Sequence, residues 1–136
     1  MSLLLLTARP FFAASVIPES LEMLGSVPGV IAAVPATYTM KEVRNGHVRR
    51  TIPRETLYRV NTPQIFRKNE LAAAFIKADA DKITVTDDAM LLEHAGYDVA
   101  VCSDTPDNLK ITTASDLATA AEIYRKNKNL FRGNHD

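Results

Sequence analysis

Unbroken apolar runs and one-sided apolar stretches alternate along this chain. Residues 3–6 are consecutive leucines followed by Arg9-Pro10. A short apolar run closed by a proline turn predicts a buried strand at the centre of a parallel sheet. Pro18-Glu19-Ser20-Leu21 predicts the first turn of a helix, with Leu21 and Leu24 on one side. Gly25 and Gly29 close that helix, and the apolar run 30–34 predicts a second buried strand, stopped by Pro35.

The next segment has a different pattern. Residues 38–43 and 47–52 flank Asn45-Gly46, the strongest short-range hairpin signal. Both strands are polar and basic, with Lys41, Arg44, Arg49 and Arg50, so the hairpin has little apolar surface of its own. It is therefore expected to project as an arm, spanning about 38–60, and to pack on a partner chain. A basic ribbon could instead enter a nucleic-acid groove, but no interleaved aromatic residues support that, and nucleic acid is not the expected partner.

Helical and strand patterns resume after the arm. A short strand is expected over 57–60 and a helix over 69–78, with Leu71, Ala74, Phe75 and Ala78 on one apolar face. Thr86 is placed to cap a helix over 87–94, whose first-turn acids favour the positive end of the helix dipole. Gly96 ends it, and 97–101 reads as the next strand. Ser115 is expected to cap a last helix with Leu117, Ala121 and Tyr124 on one face, and the polar tail 126–136 to fray. Strands alternating with helices, plus one hairpin, predict a single α/β layered domain over 1–136 with a mostly parallel sheet.

Composition narrows the function classes. The hydrophobic content of 46% and charged content of 24% are ordinary for a globular domain, and the formal net charge is zero. The charge is uneven, with basic side chains concentrated over 41–68 and acidic ones over 79–107. Two such halves are either solvated faces or the walls of a site for an anionic substrate held partly through a metal ion. Cys102, the only cysteine, lies in an apolar run, which fits a buried structural thiol and a reducing compartment. The leading leucines are too few for a membrane span and lack the basic flank of a signal peptide, so a cytoplasmic location without membrane attachment is expected.

Two stretches escape the core-packing rhythm. Asn61-Thr62-Pro63-Gln64-Ile65-Phe66 and Asp107-Asn108-Leu109-Lys110-Ile111-Thr112-Thr113 place polar groups, a proline and a lone lysine where regular elements want apolar residues. The second follows a predicted strand, at the edge where α/β sheets bind ligands. Lys110 there could neutralise a phosphate and Asp107 could hold a bridging cation; equally, Asp107 and Asn108 could simply cap a turn. Thr86-Asp87-Asp88 has the competing reading of a plain helix cap, and Arg54 that of a solvated arginine. The three histidines are far apart and the five glycines form no phosphate loop, so nothing supports a zinc site or a nucleophilic elbow.

Taken in order, the polar segments resemble the second half of the 2-C-methyl-D-erythritol 4-phosphate cytidylyltransferase family and its sibling, ribitol-5-phosphate cytidylyltransferase. The segments are Ala8-Arg9-Pro10, Val34-Pro35 leading to Thr39-Met40-Lys41, Arg54 with Leu57-Tyr58, and Thr62-Pro63-Gln64-Ile65-Phe66. Thr86-Asp87-Asp88-Ala89 with Glu93 and Gly96 follows, and then 107–112. The resemblance implies a partial Rossmann-like nucleotidyltransferase fold, related to the glycosyltransferase-A type, with a projecting hairpin. It implies transfer of CMP from CTP to a sugar-alcohol phosphate, with Mg²⁺, in an isoprenoid precursor pathway.

By the same resemblance, Lys110 and Arg54 would position the acceptor phosphate, Thr39, Thr86 and Arg9 would bind the acceptor, and Asp107 would lie beside the metal. The family's arm exchanges between subunits, so a homodimer is implied, with Arg54 serving the neighbour's site. Three departures stand against activity of this chain alone. The family's Gly-rich loop and Pro-Lys, which bind the CTP phosphates, have no counterpart in these residues. Leu6 stands where the family has an aspartate, and Tyr38 and Pro53 replace acidic residues. Lost donors of this kind are worth about 3 kcal/mol each in transition-state stabilisation. The expectation is a cytidylyltransferase half that is inactive alone and needs a separate CTP-binding half. The rival is a non-enzymatic dimerisation or sugar-phosphate-binding module.

Overall fold

The computed structural model describes residues 2–5 and 9–128. In chain order the elements are β1 (Ser2–Leu5), α1 (Val16–Met23), β2 (Gly29–Pro35), β3 (Met40–Arg44) and β4 (His47–Ile52). A 3₁₀ turn (Arg54–Thr56) leads into β5 (Tyr58–Arg67), α2 (Lys68–Ala80), α3 (Ala89–Ala95), β6 (Val99–Ser103) and α4 (Ala114–Lys126). Strand order in the main sheet is β1-β5-β2-β6. β5 runs antiparallel to both β1 and β2, and β2 runs parallel to β6. Three of the four strands thus point one way, and the fold is a mixed α/β layer structure.

The register explains why residues 61–66 break the apolar rhythm yet belong to the sheet. This stretch, expected outside any strand, is the middle of β5. Between the pairs Ile31↔Gln64 and Ala33↔Val60, β2 advances two residues while β5 advances four. Pro63 sits in that bulge, where a strand can accommodate a residue that donates no ladder bond. The Thr62–Pro63 peptide is cis. Polar Asn61 and Gln64 are buried in the strand because each finds a side-chain partner, described below.

Alternation along β2 and β5 divides the core into two clusters. Val30, Ala32 and Ile65 pack with Val16 and Leu24 from the α1 region and with Cys102. Ile31 and Phe66 pack on the opposite face with Ala74 and Ala78 of α2 and Ala89, Leu91 and Leu92 of α3. Gly29 makes this second cluster possible, since a Cβ there would lie 2.8 Å from Leu92 Cδ2 and 3.0 Å from Phe66 Cδ1. Cys102 is a free, buried thiol whose pKa burial pushes up, as expected of a structural cysteine.

Several elements depart from the sequence expectation. β1 is an edge strand among the described residues and pairs antiparallel, not in the centre of a parallel sheet; residue 6 lies outside the described residues. β6 begins two residues later than expected and extends to Ser103. Thr86 does not cap α3. Asp88 holds the N-cap position, the preceding Asp87 accepts from Met90 N through its Oδ1 at 3.1 Å, and Gly96 ends the helix at φ 85°. Thr113, not Ser115, caps α4, in a reciprocal capping box with Asp116.

Two predicted apolar faces are only partly used. On α2, Ala74 and Ala78 are buried but Phe75 is 62% exposed, because the helix turns its small residues toward the sheet. On α4 the apolar face read from the sequence is exposed, with Leu117 at 61% and Tyr124 at 46%, while Ala120 is buried. A 3.6-residue period identifies an apolar stripe without saying what covers it.

The hairpin forms as the Asn-Gly signal requires. Asn45 at φ 51° and Gly46 at φ 76° give both central residues the positive φ of a two-residue turn, and β3 pairs antiparallel with β4. This ribbon is a separate two-stranded sheet. Tyr38 is 82% exposed, and Val43 and Val48 are also exposed. Tyr58, Arg59 and Val60 pair with β2, so they belong to the main sheet.

Candidate functional site

The common direction of β1, β2 and β6 puts the segments that follow them at one edge of the sheet: residues 9–15, 36–39 and 104–110. This is the edge where α/β sheets gather ligand-binding groups. Asn61 of β5 lies at the same edge. Arg9 Nη1 donates to Asn61 Oδ1 at 3.2 Å and to the Asn108 carbonyl oxygen at 2.7 Å. Asn61 Nδ2 donates to Asp104 Oδ2 at 2.9 Å. Asn108 Nδ2 donates to the Thr62 carbonyl oxygen at 2.7 Å and also to Asp104 Oδ2.

The result is a polar lock joining three segments remote in sequence. Asn61 is 1% and Asn108 0% exposed, so these bonds are part-buried with their asparagine ends shielded from water, where losing a partner is costly. Asp104 Oδ1 accepts from Thr105 N at 2.7 Å and from Ala13 N at 3.3 Å. Arg59 Nη2 adds a bond to the Pro106 carbonyl oxygen at 3.2 Å. The Arg9 guanidinium is held below its ordinary pKa, first by burial and then by Arg59, with Asp104 pulling the other way. Arg9 Nε and Asn108 Oδ1 are buried without a partner among the described residues.

The residues singled out from sequence fall into two groups. Arg9 is part of the lock, and Asp107 and Lys110 sit on the loop that the lock holds, both exposed. Within that loop, Asp107 N donates to Thr105 Oγ1 at 3.2 Å and Asn108 N to the Thr105 carbonyl oxygen at 3.1 Å. Thr39 and Arg54 lie at the base of the hairpin. Arg54 Nη1 donates to the Thr37 carbonyl oxygen at 2.6 Å, and no bond among the described residues joins it to the lock. Thr86 is exposed, with its hydroxyl 3.9 Å from Met90 Sδ. Its neighbour Asp87 accepts from Gln64 Nε2 at 3.3 Å, tying the start of α3 to β5.

Sequence reasoning missed Asp104 and the structural part played by Asn61. The signal for Asp104 was present, since it is the first residue past β6 and faces the same edge as Lys110. The distal part of the loop proved less chemical than its composition suggested. Thr112 and Thr113 bond to the Asp116 carboxylate as part of the α4 cap. Among the described residues no three His, Cys, Asp or Glu side chains gather. Asp107 is a single exposed carboxylate, of the kind that Mg²⁺ takes together with substrate phosphates.

No helix among the described residues is long and apolar enough to cross a membrane. Residues 2–126 match the family model for 2-C-methyl-D-erythritol 4-phosphate cytidylyltransferase. The chain is 38% identical over 121 residues to the enzyme of that name from Bacillus licheniformis, covering 89% of this chain and 52% of the relative. It is 40% identical to the one from Geotalea uraniireducens, covering 91% and 53%. A solved structure of 4-diphosphocytidyl-2C-methyl-D-erythritol synthase from Anaerococcus prevotii superposes with a TM-score of 0.79 at 30% identity, covering 87% of this chain and 55% of that one. The cytidylyltransferase from Francisella tularensis gives 0.76 at 33%, covering 85% and 55%. This chain therefore spans about half the length of the relatives it matches.

Proposed function

This chain belongs to the 2-C-methyl-D-erythritol 4-phosphate cytidylyltransferase family, and on that premise we propose that its 136 residues form the acceptor-phosphate wall of a cytidylyltransferase site. The observation that carries the reading is the locked loop 104–110, which displays Lys110 at the sheet edge while its carbonyls are held by Arg9 and Arg59. A loop fixed in this way presents an ammonium group to a phosphate without first having to order itself.

In the proposed reaction an oxygen of the sugar-alcohol phosphate attacks the α-phosphorus of CTP in line. The new P–O bond forms as the bond to the β-phosphate oxygen breaks, and pyrophosphate leaves. Lys110 would neutralise and orient the attacking phosphate, which is the main protein contribution to phosphoryl-type transfer. Arg9, Thr39 and Thr86 would bind the acceptor. Arg54 would reach the acceptor phosphate of a neighbouring subunit through a homodimer built on the β3–β4 hairpin. Mg²⁺ would accompany CTP, with Asp107 nearby.

The CTP side is assigned to residues other than these 136, which by themselves are proposed to catalyse no transfer. This is supported by the lack of a Gly-rich loop within these residues, which span about half the length of the relatives. The exposed Leu117 and Tyr124 of α4 offer apolar surface for the CTP side. Pyrophosphate release from CTP plus methylerythritol phosphate tests the reading, with none expected from the purified chain. Robust turnover would overturn it. Sedimentation should find a dimer that Val43→Asp weakens, and a monomeric wild type would contradict the arm.

A further inference from the structure

We propose that Asp104 is a positioning residue for this site, fixing Arg9 and the Lys110-bearing loop in the arrangement that receives a phosphate. The inference rests on the acceptor-phosphate reading above and assigns the residue on which that arrangement depends. The Asp104 carboxylate accepts from four donors on three segments. Ala13 N and Thr105 N reach Oδ1, and Asn61 Nδ2 and Asn108 Nδ2 reach Oδ2. A carboxylate offers acceptors only, so it can serve all four at once.

Both amides are oriented as a consequence. With its Nδ2 on Asp104, Asn61 turns Oδ1 toward Arg9 Nη1. Asn108 is drawn between Asp104 and the Thr62 carbonyl, which brings its own carbonyl oxygen to Arg9. Charge adds to the geometry. Arg9 and Arg59 bond to carbonyls of residues 108 and 106 on one short loop, two cations drawn to the same segment. Asp104 is the carboxylate bound within that network, and it offsets their repulsion. Lys110 follows two residues beyond Asn108, so its placement depends on the same bonds.

Asp104→Asn is isosteric but has one acceptor oxygen and an NH₂ that must face a donor. No rotamer of it satisfies all four N–H groups. The full 136-residue chain, ¹⁵N-labelled, is titrated with inorganic phosphate and separately with methylerythritol 4-phosphate, following backbone and side-chain amide signals. D104N is expected to retain a dispersed spectrum, shift the Asn61 and Asn108 side-chain amides, and weaken binding about tenfold or more, as loss of charged hydrogen bonds implies. Arg9→Lys should weaken binding too, and adding D104N to it should cost little more, since Asp104 acts through Arg9.

A role in stability alone would lower the thermal midpoint but leave the dissociation constant of the folded protein unchanged and the two substitutions additive. If D104N does not fold, Asp104→Ser, which leaves space for water to serve the donors, replaces it. Wild-type affinity in either folded variant overturns the proposal. If the wild type binds neither probe, the acceptor reading falls. The lock is then judged on the Asn61 and Asn108 amide signals, whose movement in the variant upholds it and whose constancy overturns it.

Discussion

Arg9 Nη1 donates to the carbonyl oxygen of Asn108 across 2.7 Å and 99 positions of sequence. That bond closes the sheet edge, joining the segment after β1 to the loop after β6. Arg9→Ala would leave the Asn108 carbonyl and Asn61 Oδ1 without this donor. Each is part-buried, so a loss of about 1–3 kcal/mol in stability is expected. Urea denaturation of wild type and variant checks it, and an unchanged midpoint would mean that water replaces the guanidinium.

The α4 cap predicts a specific acid response. Asp116 Oδ2 accepts from Thr112 N, Thr112 Oγ1 and Thr113 N, led in effect by the Thr112 backbone N–H, and its pKa is held down to about 2 from an ordinary 3.8. A carboxyl with a depressed folded pKa stabilises above its unfolded value and loses that contribution as pH falls through the folded one. Protection of the amides in the first turn of α4, relative to their intrinsic exchange rate, should therefore fall between about pH 3.8 and 2. Asp116→Asn should exchange fast at all pH values, with no such step.

Gly29 is where β2 meets Leu92 and Phe66 most closely. A methyl there would press on Leu92 Cδ2 at 2.8 Å, closer than carbon atoms pack. Gly29→Ala is expected to cost about 1–3 kcal/mol through overpacking. Thermal unfolding should show the drop, and Leu92→Ala should partly relieve it in the double variant, which independent sites would not do.

The hairpin should respond independently of the main sheet. Gly46 sits at φ +76° with open space around its Cα, so Gly46→Ala is strained by backbone conformation alone, by about 1 kcal/mol. Hydrogen exchange should rise in β3 and β4 with little change in β2 or β5. Equal acceleration in both sheets would show that the ribbon unfolds only with the domain.

Much of this architecture was legible because it depends on local signals. Asn45-Gly46 dictates a positive-φ turn, Gly96 a left-handed helix end, and the run 30–34 a strand covered on both faces. Residues 61–66 carry polar side chains and nevertheless form part of a central strand. A central strand tolerates Asn61 and Gln64 when partners arrive from Arg9, Asp104 and Asp87, and those partners lie far away in sequence. The same limit hid Asp104, whose importance lies in four donors from three segments. Leu117, Ala121 and Tyr124 mark the helix but not its environment, since periodicity identifies an apolar stripe and not its neighbour.

The site residues were partly legible for a related reason. Lys110 and Asp107 stand where topology places ligand-binding loops, and the strand directions alone bring Arg9 to them. Arg54 sits at the hairpin base with no bond to the lock among the described residues, and the acceptor reading engages it through a second subunit. This difference makes the hairpin as important to the account as the lock.

The most direct test is a paired calorimetric titration of the 136-residue chain with methylerythritol 4-phosphate and with CTP–Mg²⁺. Saturable binding of the sugar-alcohol phosphate, abolished by Lys110→Ala, is expected, with no measurable binding of CTP. Tight CTP binding with no response to methylerythritol 4-phosphate would contradict the acceptor reading, because the wall present in this chain would then be the nucleotide wall.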